Sequence, residues 1–270
     1  MMTDQPFTLS PGTKFDLRDF DPDFTDLLRD AGEAKDRTKD NLDRLTDLQE
    51  MLYAQGKHAL LIVLQGMDTS GKDGTIKHVM GAFNPQGVQV SPFRVPTEEE
   101  ISHDFLWRVH KATPRRRLIG IFNRSHYEDV LVVRVLGLAP RDVWRRRYEH
   151  INAFERLLAD NGVTIVKFFL HISRAEQARR LRKRQQKPSK QWKFSPGDLE
   201  TRKLWDDYMA AFEDALTKCN TDYAPWYVIP ADHKWFRNLV VSDILVRTME
   251  NMDLRYPDPV PDIESYVILD

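Results

Sequence analysis

At 270 residues the chain suits one large α/β domain or two modest ones, and its 41% hydrophobic and 30% charged residues are ordinary for a globular protein. A formal net charge of −1 gives the molecule as a whole no pull on a polyanion, and the single cysteine, Cys219, excludes an internal disulfide and fits a reducing compartment. No apolar run approaches the ~18 residues of a membrane helix, and the start lacks the basic-then-apolar order of a secretory signal, so a cytoplasmic location is expected.

Residues 1 to about 22 are rich in Pro and Asp and read as an irregular arm on the surface. From Asp23 to about Gln55 the spacing of Leu27, Leu28, Leu42, Leu45, Leu48 and Leu52 is helical. Residues 1–55 are therefore expected to form an arm and a helical extension, and 56–270 the main domain. "HALLIVLQG" is a buried strand closed by Gly66, with a helix expected from Lys72 to Phe83. "VQVSPFRV" is a second strand. Thr97 and three glutamates then open a helix expected to reach about Ala112. "RLIGIF", "VTIVKFFLHIS" and "WYVIPA" are three more strands, with a long helix from about Pro140 to Asn161 between the first two. Apolar strands alternating with helices predict a three-layer α/β/α fold around a parallel five-stranded sheet.

Gly66, Met67, Asp68, Thr69, Ser70, Gly71 and Lys72 match G-x-x-x-x-G-K, the Walker A pattern of a phosphate loop (P-loop), with Asp73 and Gly74 following. Chance yields the pattern in ~5–10% of chains this long, but the strand before it and the helix after it are what such a loop requires. Gly66 and Gly71 permit the backbone turns that face amides toward a phosphate, and Lys72 neutralises a phosphoryl oxygen. Asp73 stands where a Ser or Thr hydroxyl is usual. A carboxylate beside phosphates needs a cation between them, so Asp68 is the first candidate magnesium ligand. Asp73 is either a second ligand or an acid stabilising the first helical turn.

The third strand ends "FNRSHYED", placing Asn123, Arg124, Glu128 and Asp129 outside its carboxyl end, where parallel sheets bind ligands. Asn123 occupies the spot where many phosphate-loop enzymes hold magnesium with an Asp, and Arg124 suits bidentate phosphate contact. His126 has no second His or Cys at ligand spacing and is expected to pack or hydrogen-bond. Residues 179–193 carry eight Lys or Arg and no acid. This helix, broken at Pro188, forms a basic lid spanning about 179–200. Its charge exceeds what one triphosphate needs and suits nucleic acid or a chain of phosphates. Aromatics interleaved for base stacking are sparse, with Trp192 and Phe194 alone nearby, so nucleic acid is not the expected partner.

Five ordered stretches, "GMDTSGKDGTIKHVMGAFNPQGV", "PTEEEISHDFLWRVH", "FNRSHYEDVLVVRV", "KQWKFSPGDLETRKLWDDY" and "APWYVIPADHKWFRN", make the chain resemble the polyphosphate kinase 2 family from about Phe15 to about Asn251. The family's loop itself carries Asp where Ser or Thr is usual. The resemblance implies a thymidylate-kinase-like fold and magnesium-dependent exchange of a terminal phosphoryl between inorganic polyphosphate and adenine nucleotides, with manganese able to substitute. It implies that Asp68 binds the metal and that Lys72 and Arg124 hold the transferred phosphoryl. Arg180, Arg184, Lys190 and Lys193 would line the lid and a polyphosphate channel. Many members read F-D-R-S-W-Y-N-R where this chain has Asn123, His126, Glu128 and Asp129. The form here resembles the subgroup that accepts both AMP and ADP. Direct ligation by Asn123 or Asp73, guanine acceptance and reaction direction stay open. An ATP-dependent nucleoside or nucleotide kinase on the same fold is the alternative. The apolar faces of the helices near 140–161 and 200–217 suit a homodimer or homotetramer.

Overall fold

The computed structural model of the chain describes residues 7–26 and 30–268. Five apolar runs form strands: β1 (Ala59–Gln65), β2 (Val88–Pro92), β3 (Ile119–Asn123), β4 (Val163–His171) and β5 (Trp226–Pro230). They pair in parallel in the order β2-β3-β1-β4-β5. Every residue of β1 is buried, because helices cover both faces of a parallel sheet. The helices are α1 (Ala31–Gln55), α2 (Lys72–His78), α3 (Glu98–Ile101), α4 (Trp107–Ala112), α5 (Val132–Val135), α6 (Arg141–Asp160), α7 (Arg174–Gln186), α8 (Pro188–Gln191), α9 (Pro196–Lys203), α10 (Trp205–Lys218) and α11 (Lys234–Glu250).

The first helix starts later than its leucine spacing suggests. Asp30 caps α1 through its carboxylate, which accepts from the amides of Gly32 and Glu33. Leu27 and Leu28 of the expected helix lie outside the described residues. The helix packs along α11, where Arg37 and Asn41 reach Asp243 at 3.1 and 2.7 Å. The arm is irregular as expected but does not lie on the surface. Phe7 and Phe15 are fully buried, and Phe7 packs edge-on against Phe24 and Phe236. The carbonyl of Phe7 also accepts from the Val228 amide at 2.7 Å. The arm thereby covers the outer edge of β5, which would otherwise present unpaired backbone groups.

Two expected helices are shorter than their patterns. After His78 the chain tightens into a 3-10 turn at Met80–Ala82. The segment opened by Thr97 holds a full capping box with Glu100, yet α3 stops at Ile101. Asp104 accepts from the Leu106 amide and its carbonyl from Trp107, so the chain restarts as α4. The long helix α6 runs as expected. Its Tyr148, Ile151, Phe154 and Leu158, like Trp205, Tyr208 and Phe212 of α10, are buried in the chain's own core. Those side chains are committed to the chain's own core, while Leu157 of α6 stays half exposed. No helix of the described residues is long and apolar enough to cross a membrane.

The register positions the site. Leu64 of β1 is level with Asn123 of β3, and Asn123 with Pro92 of β2, so their carboxyl-terminal loops emerge side by side.

Candidate active site

After Gln65 the chain turns back at Gly66 and Gly71, whose φ angles are +146° and +114°, and Thr69 between them also adopts a positive φ of +68°. A side chain on Gly66 would meet the Leu170 carbonyl at 2.7 Å. Lys72 folds over this loop, its ammonium donating to the carbonyls of Gly66 at 2.6 Å and Met67 at 3.2 Å. Two of its three donors are thereby held and one remains. Burial lowers the Lys72 pKa, with Asp68, Glu128 and Asp73 opposing that shift.

Arg124 brings the loop and the end of β3 together. It sits in the left-handed region at φ +61°, a strained conformation fixed by its amide donating to Leu64 O at 3.1 Å. Its guanidinium donates to Asp68 Oδ1 at 2.9 Å and lies 4.0 Å from Glu128 Oε2. Burial would lower the Arg124 pKa, but Glu128 and Asp68 outweigh it and the net shift is upward. For Glu128 burial dominates and raises the carboxyl pKa against Arg124 and Lys72.

Asn123 and Asp73 meet directly, the amide donating to Asp73 Oδ1 at 3.0 Å, while Lys193 donates to Oδ2 at 2.9 Å. Burial alone would raise the Asp73 pKa, but these bonds from Lys193 and Asn123 reverse it. Asp73 therefore latches the lid to the phosphate loop. The lid is α7, α8 and the turn into α9, with Arg184 held by Asp198 at 3.2 Å and Lys190 exposed.

Two of the expected residues are placed elsewhere. Asp129 turns toward α6, where Arg147 donates to both its carbonyl and its carboxylate at 3.0 Å. Burial raises its pKa. Arg180 is buried beneath the phosphate loop and does not line the lid surface. Its guanidinium donates to the carbonyls of Thr69, Ser70, Ala231 and Asp232 and to Glu176. His126 lies in the core, its Nε2 3.1 Å from Glu155 Oε1. Glu155 also accepts from Tyr127 at 2.9 Å and Lys167 at 2.6 Å, all four side chains being fully buried. Burial would raise the Glu155 pKa, and Lys167 and His126 hold it below its usual value.

Sequence reasoning missed Asp198 as a site residue. Burial raises its pKa, and Asp68, Arg184, Arg124 and Lys72 are the charges it feels, so α9 aims it at the loop mouth. Its signal was the helix start "SPGD", where Ser195 caps and the acid falls in the first turn.

The carboxylates fit magnesium. Asp68, Glu128 and Asp198 share one electrostatic neighbourhood, and burial raises the pKa of the last two, with the charge of Asp68 adding to it. No three His, Cys, Asp or Glu side chains among the described residues form a ready-made metal cluster. Magnesium does not need one, since it takes one or two carboxylates and completes its shell with phosphate oxygens and water.

The comparisons with known proteins agree with this geometry. The profile of the family described as polyphosphate kinase 2 (PPK2) matches residues 29–257. A protein of Meiothermus ruber named AMP/ADP-polyphosphate phosphotransferase is 53% identical over 263 residues, covering 97% of this chain and 98% of its own. One from Rhodopseudomonas palustris named ADP-polyphosphate phosphotransferase is 42% identical over 267 residues, or 94% of this chain and 92% of its own. The crystal structure of polyphosphate kinase 2 from Arthrobacter aurescens TC1 superposes with a TM-score of 0.91 at 43% identity, covering 96% of this chain and 95% of that one. On the match of that profile over most of its length and on these relatives, the chain belongs to the polyphosphate kinase 2 family.

Proposed function

We propose that the protein transfers the terminal phosphoryl of inorganic polyphosphate to AMP and to ADP, reversibly and with magnesium or manganese, in the cytoplasm. The observation that carries this reading is a juxtaposition: Lys72 and Arg124 stand together, balanced by Asp68 and Glu128, and the lysine-bearing lid reaches the same loop through Lys193 and Asp73. Relatives named for AMP and ADP transfer support the same acceptors.

The acceptor is itself a phosphate, with a second pKa of about 6, so near neutral pH it is largely dianionic. No side chain has to remove a proton from it. What the reaction demands is that two polyanions be brought end to end with charge balanced at the transferred group. Lys72 and Arg124 do this from the donor side, and Arg124 adds the fork that matches two phosphoryl oxygens. Lys190, Lys193 and Arg184 extend positive charge along the lid for the rest of the polyphosphate. Asp68, with Glu128 or Asp198 beside it, would hold the metal, which when bound would offset the charge of the phosphate oxygens. Lid closure excludes water, so that the phosphoryl passes to nucleotide and not to hydroxide.

Separate rate measurements with AMP and with ADP test this, using magnesium and long-chain polyphosphate. Product from both acceptors is expected, with AMP giving ADP before ATP. Product from ADP alone would leave the family intact and remove the dual-acceptor reading of Asn123 and Glu128.

A further inference from the structure

Arg237 of α11 is 1% exposed, and it lies directly beneath the phosphate loop. A side-chain carbon placed on Gly71 would fall 1.8 Å from its Nη1, and one on Gly74 would fall 3.2 Å from its Nη2. The loop glycines therefore leave room for a guanidinium below as well as for a phosphate above. Its hydrogen bonds go to neutral groups: the Ser70 carbonyl at 3.4 Å and the side-chain carbonyl of Asn238, nearest at 2.7 Å. Among the described residues no carboxylate forms an ion pair with it. The charge that acts on it is Arg180, also buried and also beneath the loop. Burial and that neighbour together depress its pKa to about 10, so it remains charged at neutral pH.

A buried arginine without an acid is costly, and folded proteins normally pair it. Around this one the cations Arg180 and Lys234 outnumber what Glu176 balances, since Glu176 is held by Arg179 and Arg180. Asp232 is nearby too, but its carboxylate accepts from the Ser173 amide. Arg180 and Arg237 both donate to the Ser70 carbonyl, which belongs to the phosphate loop itself.

We infer that Arg237 is a positioning residue whose unpaired charge, set under Gly71 and Gly74 with Arg180, is balanced by the phosphate bound above the loop. It holds the loop carbonyls downward and raises affinity for the phosphoryl group without touching it. In the phosphate-free protein the same charge lowers stability, so phosphate binding and folding are linked through it.

This rests on the phosphate-loop reading, and the test separates the two. Asn238→Asp supplies Arg237 with the carboxylate it lacks at an atom already 2.7 Å away. Tripolyphosphate affinity by calorimetry and the melting temperature without ligand are then compared with the parent chain, and Arg237→Met removes the charge at similar length. For Asn238→Asp the expected result is a higher melting temperature together with about tenfold weaker tripolyphosphate binding, which corresponds to about 1.4 kcal/mol. Arg237→Met should weaken binding similarly and not melt earlier. A purely structural arginine predicts the reverse, an earlier melt with affinity unchanged in the folded protein. Affinity within twofold of the parent in Asn238→Asp, or a lower melting temperature, overturns the inference even if Arg237→Met fails to fold. Absence of tripolyphosphate binding in the parent chain would instead remove the phosphate-loop reading beneath it.

Discussion

Lys72, Asp68 and Arg124 make their contacts with loop backbone and with one another, not with the core beneath the sheet. Replacing Lys72 by Ala or Asp68 by Ala removes charge at the proposed phosphoryl site while leaving β1, which leads into the loop, unchanged. Each variant should lose at least ~10²-fold in transfer rate, the scale of removing one preorganised electrostatic contact. Melting temperatures should stay close to the parent. Loss of the cooperative melt in either variant would mean that these side chains serve the fold instead. The division of the cations is the part of the site that sequence did not reveal. Arg180 and Lys193 belong to the same basic run, yet one is buried under the loop and the other reaches Asp73 from above. A run of like charges records that a surface attracts anions, but helix phase and the approach of a distant element decide which members face the ligand. Arg237 was less visible still, because an isolated arginine in an apolar helix gives no local pattern for burial.

At the scale of elements, the lid and the strand-end turn are held in different ways. The lid is fastened by two ion pairs open to competition from phosphate: Lys193 to Asp73, whose carboxylate is largely exposed and whose pairing is worth little in isolation, and the more buried Arg184 to Asp198. Neutralising Lys190 and Lys193 together should raise the polyphosphate KM by about tenfold or more and the ADP KM by much less. Equal effects on the two substrates would contradict a polyphosphate track along the lid. The turn at His126 and Tyr127 is tied to α6 and β4 through Glu155 and Lys167, all without solvent contact. Removing one member strands a buried charge, so Glu155→Ala should cost about 3–5 kcal/mol. Replacing both, as in Glu155→Leu with Lys167→Met, should recover much of that loss in a denaturant titration. Additive losses would show that the pair is not coupled. Strand boundaries and the phosphate loop were legible because periodicity and glycine placement report them locally. The break between α3 and α4 was not, because Asp104 restarts a helix inside a segment whose composition is helical throughout.

For the whole molecule, the arm and α1 wrap the domain more closely than composition suggests. Phe7 is buried where the arm covers the edge of β5, and Phe15 where its amide donates to Thr217 of α10 at 3.0 Å, long-range contacts that local spacing does not report. The same wrapping buries His171 at the end of β4, where burial depresses its pKa to about 4 despite bonds from the arm at Phe20 and Leu17 and the charge of Asp21. Below the ordinary imidazole value of 6.5 the unfolded chain takes up a proton that the folded chain refuses. Stability attributable to His171 is therefore complete above about pH 6.5 and falls as pH drops toward 4, by on the order of 3 kcal/mol at most. His171→Gln should flatten the difference between melting curves at pH 7 and pH 5. An unchanged difference would show that His171 does not titrate between the folded and unfolded chains.

The most direct measurement is ATP formation from ADP with magnesium and long-chain polyphosphate as the sole phosphoryl donor, followed by phosphorus NMR. Growth of the ATP resonances alongside loss of polyphosphate is expected, and Lys72→Ala should abolish both. No ATP under these conditions, with phosphorylation instead of a nucleoside or nucleotide when ATP is supplied as donor, would contradict polyphosphate as the donor and leave the cation-rich lid without its substrate.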